Sequence, residues 1–414
     1  MEVRNKLIKK EVLKLLYFNK YLSIAALSTS LNKSIPIILK IVSELIEEGL
    51  VIETGYAPST GGRRAVMYSL KTGLQYIMAV SMDQFVTRIA LVDMHNVIVG
   101  NIEKIDLPLA KNENALQLLI TGIDDFIKDS GISKEKIIGI GIGMPGFIDA
   151  KKGLNYSFLE SGKSIGDTVC EATNIPVFID NDSSLVALAE LKFGAGMHKK
   201  NAMVINIGWG VGLGMILNSK LYRGENGFAG EFSHISLFSN NKLCSCGKMG
   251  CLETETSLFV IVEKAKQGLK DGRTSVLKEQ VFNVDIETAF VLIVNAAKKG
   301  DQFAIELISK AAYEIGRGVS ILIHLLNPEL IILSGRGALA GKLWKAPMQQ
   351  AINEYSIPRL AAHTDIEISP LEHQAELIGA AALVMENFES IDLKNLKPSL
   401  SITNINKTTK IFTN

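Results

Sequence analysis

Between Gly230 and Thr254 the chain reads Gly-Glu-Phe-Ser-His, a short polar loop, then Cys-Ser-Cys-Gly-Lys-Met-Gly-Cys-Leu-Glu-Thr. Cys244, Cys246 and Cys251, three of the four cysteines, fall in this stretch, and His234 lies a short loop upstream. Three thiolates and one imidazole complete a tetrahedral ligand set for zinc, and a set with no open position reads as structural. Gly247 and Gly250 let the backbone turn tightly enough to bring Cys246 and Cys251 to one point. Thiols packed separately in a core would not need to crowd between glycines. A disulfide needs an oxidising compartment, which nothing in the chain marks. Two carboxylates are threaded through the same stretch, Glu231 three residues before His234 and Glu253 two after Cys251. A metal that fixed the loop would fix both. Rigid carboxylates at the edge of a cavity accept hydrogen bonds from a polyhydroxylated ligand such as a sugar. On chemistry alone the two read equally well as solvated surface acids.

A chain of 414 residues accommodates two or three domains. Its apolar and charged fractions are those of an ordinary globular protein, and its net charge of +1 gives the whole chain no general affinity for polyanions. No apolar run approaches the length of a membrane span, so no membrane partner is expected. Met1-Glu2-Val3-Arg4-Asn5-Lys6 lacks the apolar core and cleavage site of a signal peptide, which makes the cytoplasm the expected location. Cys170 stands alone and reads as a small core residue.

The first seventy residues differ from the rest, with ten Lys and Arg against six Asp and Glu. Lys6 to Leu16 reads as an amphipathic helix with Leu7, Val12, Leu15 and Leu16 on one side. Ser23 caps a short second helix, and a break follows at Asn32 and Lys33. Ser34 caps a third helix, with Pro36 in its first turn, Ile38, Ile41, Val42, Leu45 and Ile46 at helical spacing, and Gly49 at its end. Leu50 to Glu53 and Val66 to Leu70 read as strands around a turn from Gly55 to Gly62. Three helices and a hairpin in this order make a winged helix-turn-helix. The third helix would enter the major groove of double-stranded operator DNA by its N-terminal end, with Lys33, Ser34 and Lys40. Arg63 and Arg64 on the hairpin suit phosphates or a minor groove. A small helical dimerisation domain with ordinary surface lysines is the plainer alternative.

From Gln75 the pattern changes. Ile77–Val80, Thr87–Asp93 and Val97–Ile102 read as strands, followed by a helix from Ala115 to Ser130 and a strand from Ile137 to Ile142. Ala202–Ile207, Gly212–Leu217 and Lys220–Tyr222 repeat the three-strand start. Two such units, each followed by helical stretches, predict a duplicated α/β domain with a cleft between its halves. Gly141-Ile-Gly143-Met-Pro-Gly146 fits the Gly-x-Gly-x-x-Gly pattern, but Pro145 and the residues after it do not open the helix that a dinucleotide site requires. A tight Pro-Gly turn at a strand end fits better. Asp180-Asn181-Asp182-Ser183 lies between an apolar run and a helix; one such residue suffices as a cap, and four in a row suggest more.

Gly-Glu-x-x-His followed by Cys-x-Cys-Gly-x-x-Gly-Cys-x-Glu resembles the signature of the ROK family (repressors, open reading frames and sugar kinases), with Ser233 where the family usually has Gly. The resemblance covers Gln75 to about Phe388 and implies an actin-like, ribonuclease-H-like fold of two lobes. It implies zinc on His234, Cys244, Cys246 and Cys251. It implies a sugar held by Glu231, His234, Glu253, Asn181 and Asp182, with Gly146 bordering the pocket. In the family's kinases the residue matching Asp182 is the general base. The phosphate loops depart from the kinase pattern. Asp-x-Gly-Gly-Thr is matched by Ser81-Met82-Asp83-Gln84-Phe85, or from Asp83 with Phe85 and Val86 where the glycines belong. Gly-Thr-Gly-x-Gly is matched by Gly208-Trp209-Gly210-Val211-Gly212, and Gly335-Arg336-Gly337 puts Arg inside the adenosine-side glycines. An N-terminal winged helix is a feature of the family's repressors that its sugar kinases lack. The chain therefore reads as a sugar-responsive repressor without catalytic residues, taking a sugar or sugar phosphate, and assembled as a homodimer or dimer of dimers. An ATP-dependent sugar kinase with an added DNA-binding domain is the alternative. The expected division is 1–72 for the winged helix and 73–200 for the first lobe, with 365–388 returning to it. Residues 201–364 form the second lobe with the zinc site and oligomerisation helices, and 389–414 a C-terminal extension.

Overall fold

The computed structural model describes residues 2–58, 64–159 and 162–391. The chain forms two compact units, one built on Met1–Gln75 and one of Tyr76–Ile391. In the first, α1 (Glu2–Asn19), β1 (Leu22–Ser23), α2 (Ile24–Leu31), α3 (Ile35–Glu47), β2 (Val51–Tyr56) and β3 (Val66–Leu70) follow the winged-helix order. The Ser23 hydroxyl accepts a hydrogen bond from Ala26 N at 3.2 Å and starts α2, and Asn32 ends it in the left-handed region. Ser34 holds the cap position of α3 but makes no side-chain capping bond. Pro36 at the second helical position has no N–H to offer it, and the Ile37 N–H donates to the Ser34 carbonyl at 3.1 Å instead.

The buried stripe of α1 is Ile8, Val12, Leu13, Leu16 and Tyr17, packed with Leu27 and with Ile38, Ile41, Val42 and Leu45 of α3. Leu7 is 48% exposed, so the helix is turned one residue from the face that its leucines suggest. Each full burial is worth roughly 1.5–3 kcal/mol before chain entropy is charged against it. Lys9 bridges from α1 to Glu44 and Glu48 at 2.8 Å each, which locks the acidic end of α3 against α1. β3 is the centre of a three-stranded antiparallel sheet, with β1 on one side and β2 on the other. β1 is only two residues long and carries no sequence periodicity of its own.

The second unit begins with β4 (Tyr76–Met82), β5 (Val86–Asp93), β6 (Ile98–Asp106), α4 (Ala115–Asp129), β7 (Ile137–Met144), β8 (Ile148–Asp149) and β9 (Leu154–Asn155). α5 (Ile165–Thr173), β10 (Val177–Asn181), α6 (Asp182–Phe193), β11 (Ala202–Ile207), β12 (Val211–Leu217) and β13 (Lys220–Tyr222) follow. Then come α7 (Glu253–Thr256), α8 (Leu258–Lys270), α9 (Ile286–Lys298), α10 (Gln302–Leu326), β14 (Leu330–Ser334), α11 (Lys345–Tyr355), α12 (Pro358–Ala361), β15 (Asp365–Ile368) and α13 (Ala375–Glu386). The two five-stranded sheets run β6-β5-β4-β7-β10 and β13-β12-β11-β14-β15. In each, three antiparallel strands come first and two parallel strands are added on the far side of the first. The internal duplication is therefore one of topology as well as of sequence pattern.

α6 and α13 are apolar nearly all round, as helices enclosed on every side must be. They pack on each other; α13 lies on β4 and β7, and α6 on β11 and β12. Glycines permit this closeness. A Cβ on Gly141 of β7 would stand 1.9 Å from the Ala380 carbonyl of α13. The Gly-x-Gly pattern of β7 is thus a helix-packing device. Residues 365–388 do not return to the first lobe as a block. β15 pairs parallel with β14, Leu330 opposite Asp365, and closes the second sheet; α13 alone packs on the first. Phe388 and Ile391 are buried, and the remainder of the C-terminal extension lies outside the described residues. No helix among the described residues is long and apolar enough to cross a membrane.

Candidate functional site

The loop after the 3-10 turn Phe232–His234 brings His234, Cys244, Cys246 and Cys251 together, with one ligand atom from each within 4.8 Å of all the others. Cys244 Sγ lies 3.5 Å from His234 Nδ1, and Cys246 Sγ lies 3.7 Å from Cys251 Sγ. The second separation is far beyond a disulfide, and all four cysteines are free. The turn depends on Gly250, at φ 72°, where a Cβ would stand 1.9 Å from the Phe238 carbonyl. The cluster is positioned to hold a metal ion. The imidazole also faces the other way, with Nε2 3.7 Å from Glu231 Oε2.

Beside the cluster, a cavity of about 540 Å³ lies between the two lobes of the second unit. Gly146, Asn181, Asp182, Glu231, His234 and Glu253 all line it. Asn181 is a helix cap as well: Oδ1 accepts from Ser183 N at 3.0 Å and Ser184 N at 3.2 Å, starting α6. Its Nδ2 donates to the Gly146 carbonyl at 3.1 Å, which pins the Pro-Gly turn to the end of β10. Asp182 Oδ1 accepts from Ser183 N at 2.7 Å. Burial first, and then the charges of Glu376 and Glu231, push the Asp182 carboxyl up to about 7. Burial also raises Glu231 and Glu253. Glu253 is held by Val211 N, which donates to Oε2 at 3.3 Å.

The part of the cavity bounded by Asp83, Trp209 and Arg336 is built from charges and rings. Asp83 Oδ1 accepts from Phe85 N and Val86 N at 2.8 Å each, shaping the turn between β4 and β5. Asp83 Oδ2 takes Arg336 at 2.8 Å and Arg88 at 3.1 Å. Both arginines also reach Glu287 on α9, each at 2.7 Å. Burial works to raise Glu287, but Arg336 and Arg88 outweigh it and hold the carboxyl below its ordinary range. The Arg336 guanidinium lies 5.7 Å from the centre of the Trp209 ring, and Phe85 meets Trp209 edge-on at 6.4 Å. Ser81 donates to Glu376. Sequence reasoning marked Phe85, Trp209 and Arg336 as departures from the phosphate-loop pattern and did not see that they pair with one another or with Asp83. Arg336 and Asp83 are 253 residues apart, and no local signal joins them.

In the first unit, Ser34 and Lys40 are exposed and Lys33 half-buried at the start of α3. Ile35 and Ile37 on the same turn are 54% and 42% exposed, a feature the helical spacing alone did not single out. Arg64 folds back on its own hairpin, donating from Nε to the Ala57 carbonyl at 2.7 Å. Arg63 lies outside the described residues.

The chain is 31% identical over 403 residues to the xylose repressor of Caldicellulosiruptor bescii, covering 93% of this chain and 96% of that one. It is 34% identical over 302 residues to a glucokinase of Halalkalibacterium halodurans, covering 71% of this chain and 91% of the glucokinase. Its structure is similar to that of a ROK family transcriptional regulator, a homologue of the Escherichia coli MLC protein. The TM-score is 0.74 at 26% identity, over 94% of this chain and 99% of the other. The ROK family profile matches residues 83–387, and with relatives of this extent the chain belongs to the ROK family.

Proposed function

We propose that the protein is a sugar-responsive transcriptional repressor, with the winged helix on operator DNA and a sugar in the cleft beside the metal cluster. The observation that carries this reading is the pairing, in one chain, of a winged-helix unit with a carboxylate-lined cleft in which Asp83 and Arg336 are ion-paired. Phosphotransfer requires magnesium and close backbone approach to the nucleotide phosphates. Both carboxylate oxygens of Asp83 are engaged, and Arg336 and Trp209 stand where glycine-rich loops would approach. A xylose repressor among the relatives aligns along nearly the whole chain, winged helix included, whereas the glucokinase aligns over 71% of it.

Zinc fits the cluster. Ligands at 2.3 Å for sulfur and about 2.0–2.1 Å for nitrogen, arranged tetrahedrally, place two sulfurs about 3.8 Å apart and sulfur from nitrogen about 3.5 Å. The corresponding separations here are 3.7 and 3.5 Å. Zinc would be held by His234 Nδ1, Cys244, Cys246 and Cys251, and it would supply a rigid cross-link. The chain's own residues do the recognition. His234 Nε2, Glu231 and Glu253 present polar atoms to ring hydroxyls from one side, and Asp182 from the other. Cys246→Ser is expected to lose both zinc and sugar response, read by elemental analysis and thermal shift. Freshly purified protein without metal would contradict the assignment.

On DNA, Lys33, Ser34 and Lys40 contact the duplex from the start of α3, with Arg63 and Arg64 at the wing. Winged helices that read two half-sites act as dimers, so a homodimer or dimer of dimers is the working assembly. A sugar that prefers one arrangement shifts DNA affinity by that preference. The test is selection of duplexes from random DNA by the full chain, followed by a salt titration. A selected site whose affinity falls steeply with salt supports the reading; no selection would overturn it. The kinase alternative is favoured by one observation, an Asp182 carboxyl held near 7, which suits a general base. ADP release with ATP, magnesium and a panel of hexoses separates the two. The repressor reading expects none, and turnover abolished by Asp182→Asn would promote the alternative.

A further inference from the structure

Resting on the reading that this cleft binds a sugar, we infer that its effector is a glycoside of at least two units. The floor of the cavity is a field of acceptors. Asp83, Asp182, Glu231, Glu253 and Glu376 line it against a single guanidinium, Arg336, and no lysine among the described residues lines it. Arg336 is itself committed to Asp83 and Glu287. Such a floor is matched by hydroxyl donors.

The mouth is aromatic: Phe147 and Tyr156 line the cavity while 37% and 50% exposed, and Lys152 is hydrogen-bonded to Tyr156. Each meets Phe228 edge-on, at 5.7 and 6.0 Å between ring centres. Exposed rings gathered at the lip of a polar cavity are an uncovered apolar surface continuous with the sugar floor. A pyranose ring presents a face of C–H bonds that packs on an aromatic face, whose electron density is negative. One ring hydrogen-bonded at the floor leaves these aromatics for the next ring or an apolar aglycone.

The test is calorimetric titration of the full-length protein with glucose, xylose, N-acetylglucosamine, cellobiose and xylobiose. A disaccharide is expected to bind roughly tenfold more tightly than its own monosaccharide. Phe147→Ala combined with Tyr156→Ala should remove most of the disaccharide advantage without moving the melting point of the ligand-free protein, and Tyr156→Phe should keep the advantage. Disaccharides binding no better than their monomers would overturn the inference while leaving the sugar site standing. No heat and no thermal shift with any of the five would overturn both.

Discussion

Asp182 carries the most informative ionisation in the cleft. Burial, with Glu376 and Glu231 beside it, lifts its carboxyl to about 7, whereas an unfolded chain titrates it near 3.9. Between those values the native state holds the proton more tightly than the unfolded chain. The stability that protonation brings is therefore full below about pH 4 and is lost as pH rises to about 7. Asp182→Asn should flatten this part of the stability profile in chemical denaturation. A sugar hydroxyl donating to the ionised carboxylate favours the deprotonated form. Sugar affinity should accordingly rise from pH 6 to pH 8 in the native protein and stay level in Asp182→Asn. At pH 8 the variant should bind about ten- to a hundredfold more weakly, the worth of a charged acceptor at roughly 1.5–3 kcal/mol. Calorimetric titration across that range decides it, and a pH-independent affinity in the native protein would count against Asp182 as a ligand. Asn181 and Asp182 were legible because four polar residues interrupt an apolar run at a strand-to-helix junction. Asn181 also proved to be the cap that the plainer reading required, and the two roles share one side chain. The Asp83–Arg336–Glu287 network was not legible, because its members come from three distant segments and no local signal joins them.

At the scale of elements, local chemistry and apolar alternation marked most strands and the first four helices to within a few residues, but left α5 and α7 to α12 without bounds. Val66–Leu70, Ala202–Ile207 and Lys220–Tyr222 begin and end where the sequence places them. What failed was non-local. β1 exists because β3 offers it an edge, and β15 joins the second sheet because β14 does; neither pairing leaves a trace in its own few residues. The α1 face was misjudged by one position, since Leu7 and Ile8 are both apolar and only the packing partner chooses between them. The Gly-x-Gly pattern of β7 had a reason that sequence could not give, the approach of α13. Gly141→Ala is expected to push α13 off β7 and destabilise the second unit by about 1–3 kcal/mol, measured by thermal or urea unfolding. Because the same helix packs on α6, which carries Asp182, weaker sugar binding should accompany the loss. A variant with unchanged stability would show that the sheet can yield there at no cost.

Across the whole molecule, two facts from the sequence carried furthest: a basic stretch at one end of a chain of near-zero net charge, and a strand pattern that occurs twice. They correspond to a winged-helix unit and to a unit of two topologically equivalent sheets enclosing a cleft. The effector class was not legible, because it depends on which side chains converge on the cavity. The winged helix and the cleft belong to separate compact units, so regulation must appear as a coupling free energy between two binding events. The most direct measurement is fluorescence anisotropy of a selected duplex titrated with the full-length protein, with and without a saturating concentration of the tightest-binding sugar. The account predicts that the sugar changes DNA affinity by at least about fivefold, and that DNA changes sugar affinity by the same factor. Identical DNA affinity in both titrations, with the sugar demonstrably bound, would contradict it.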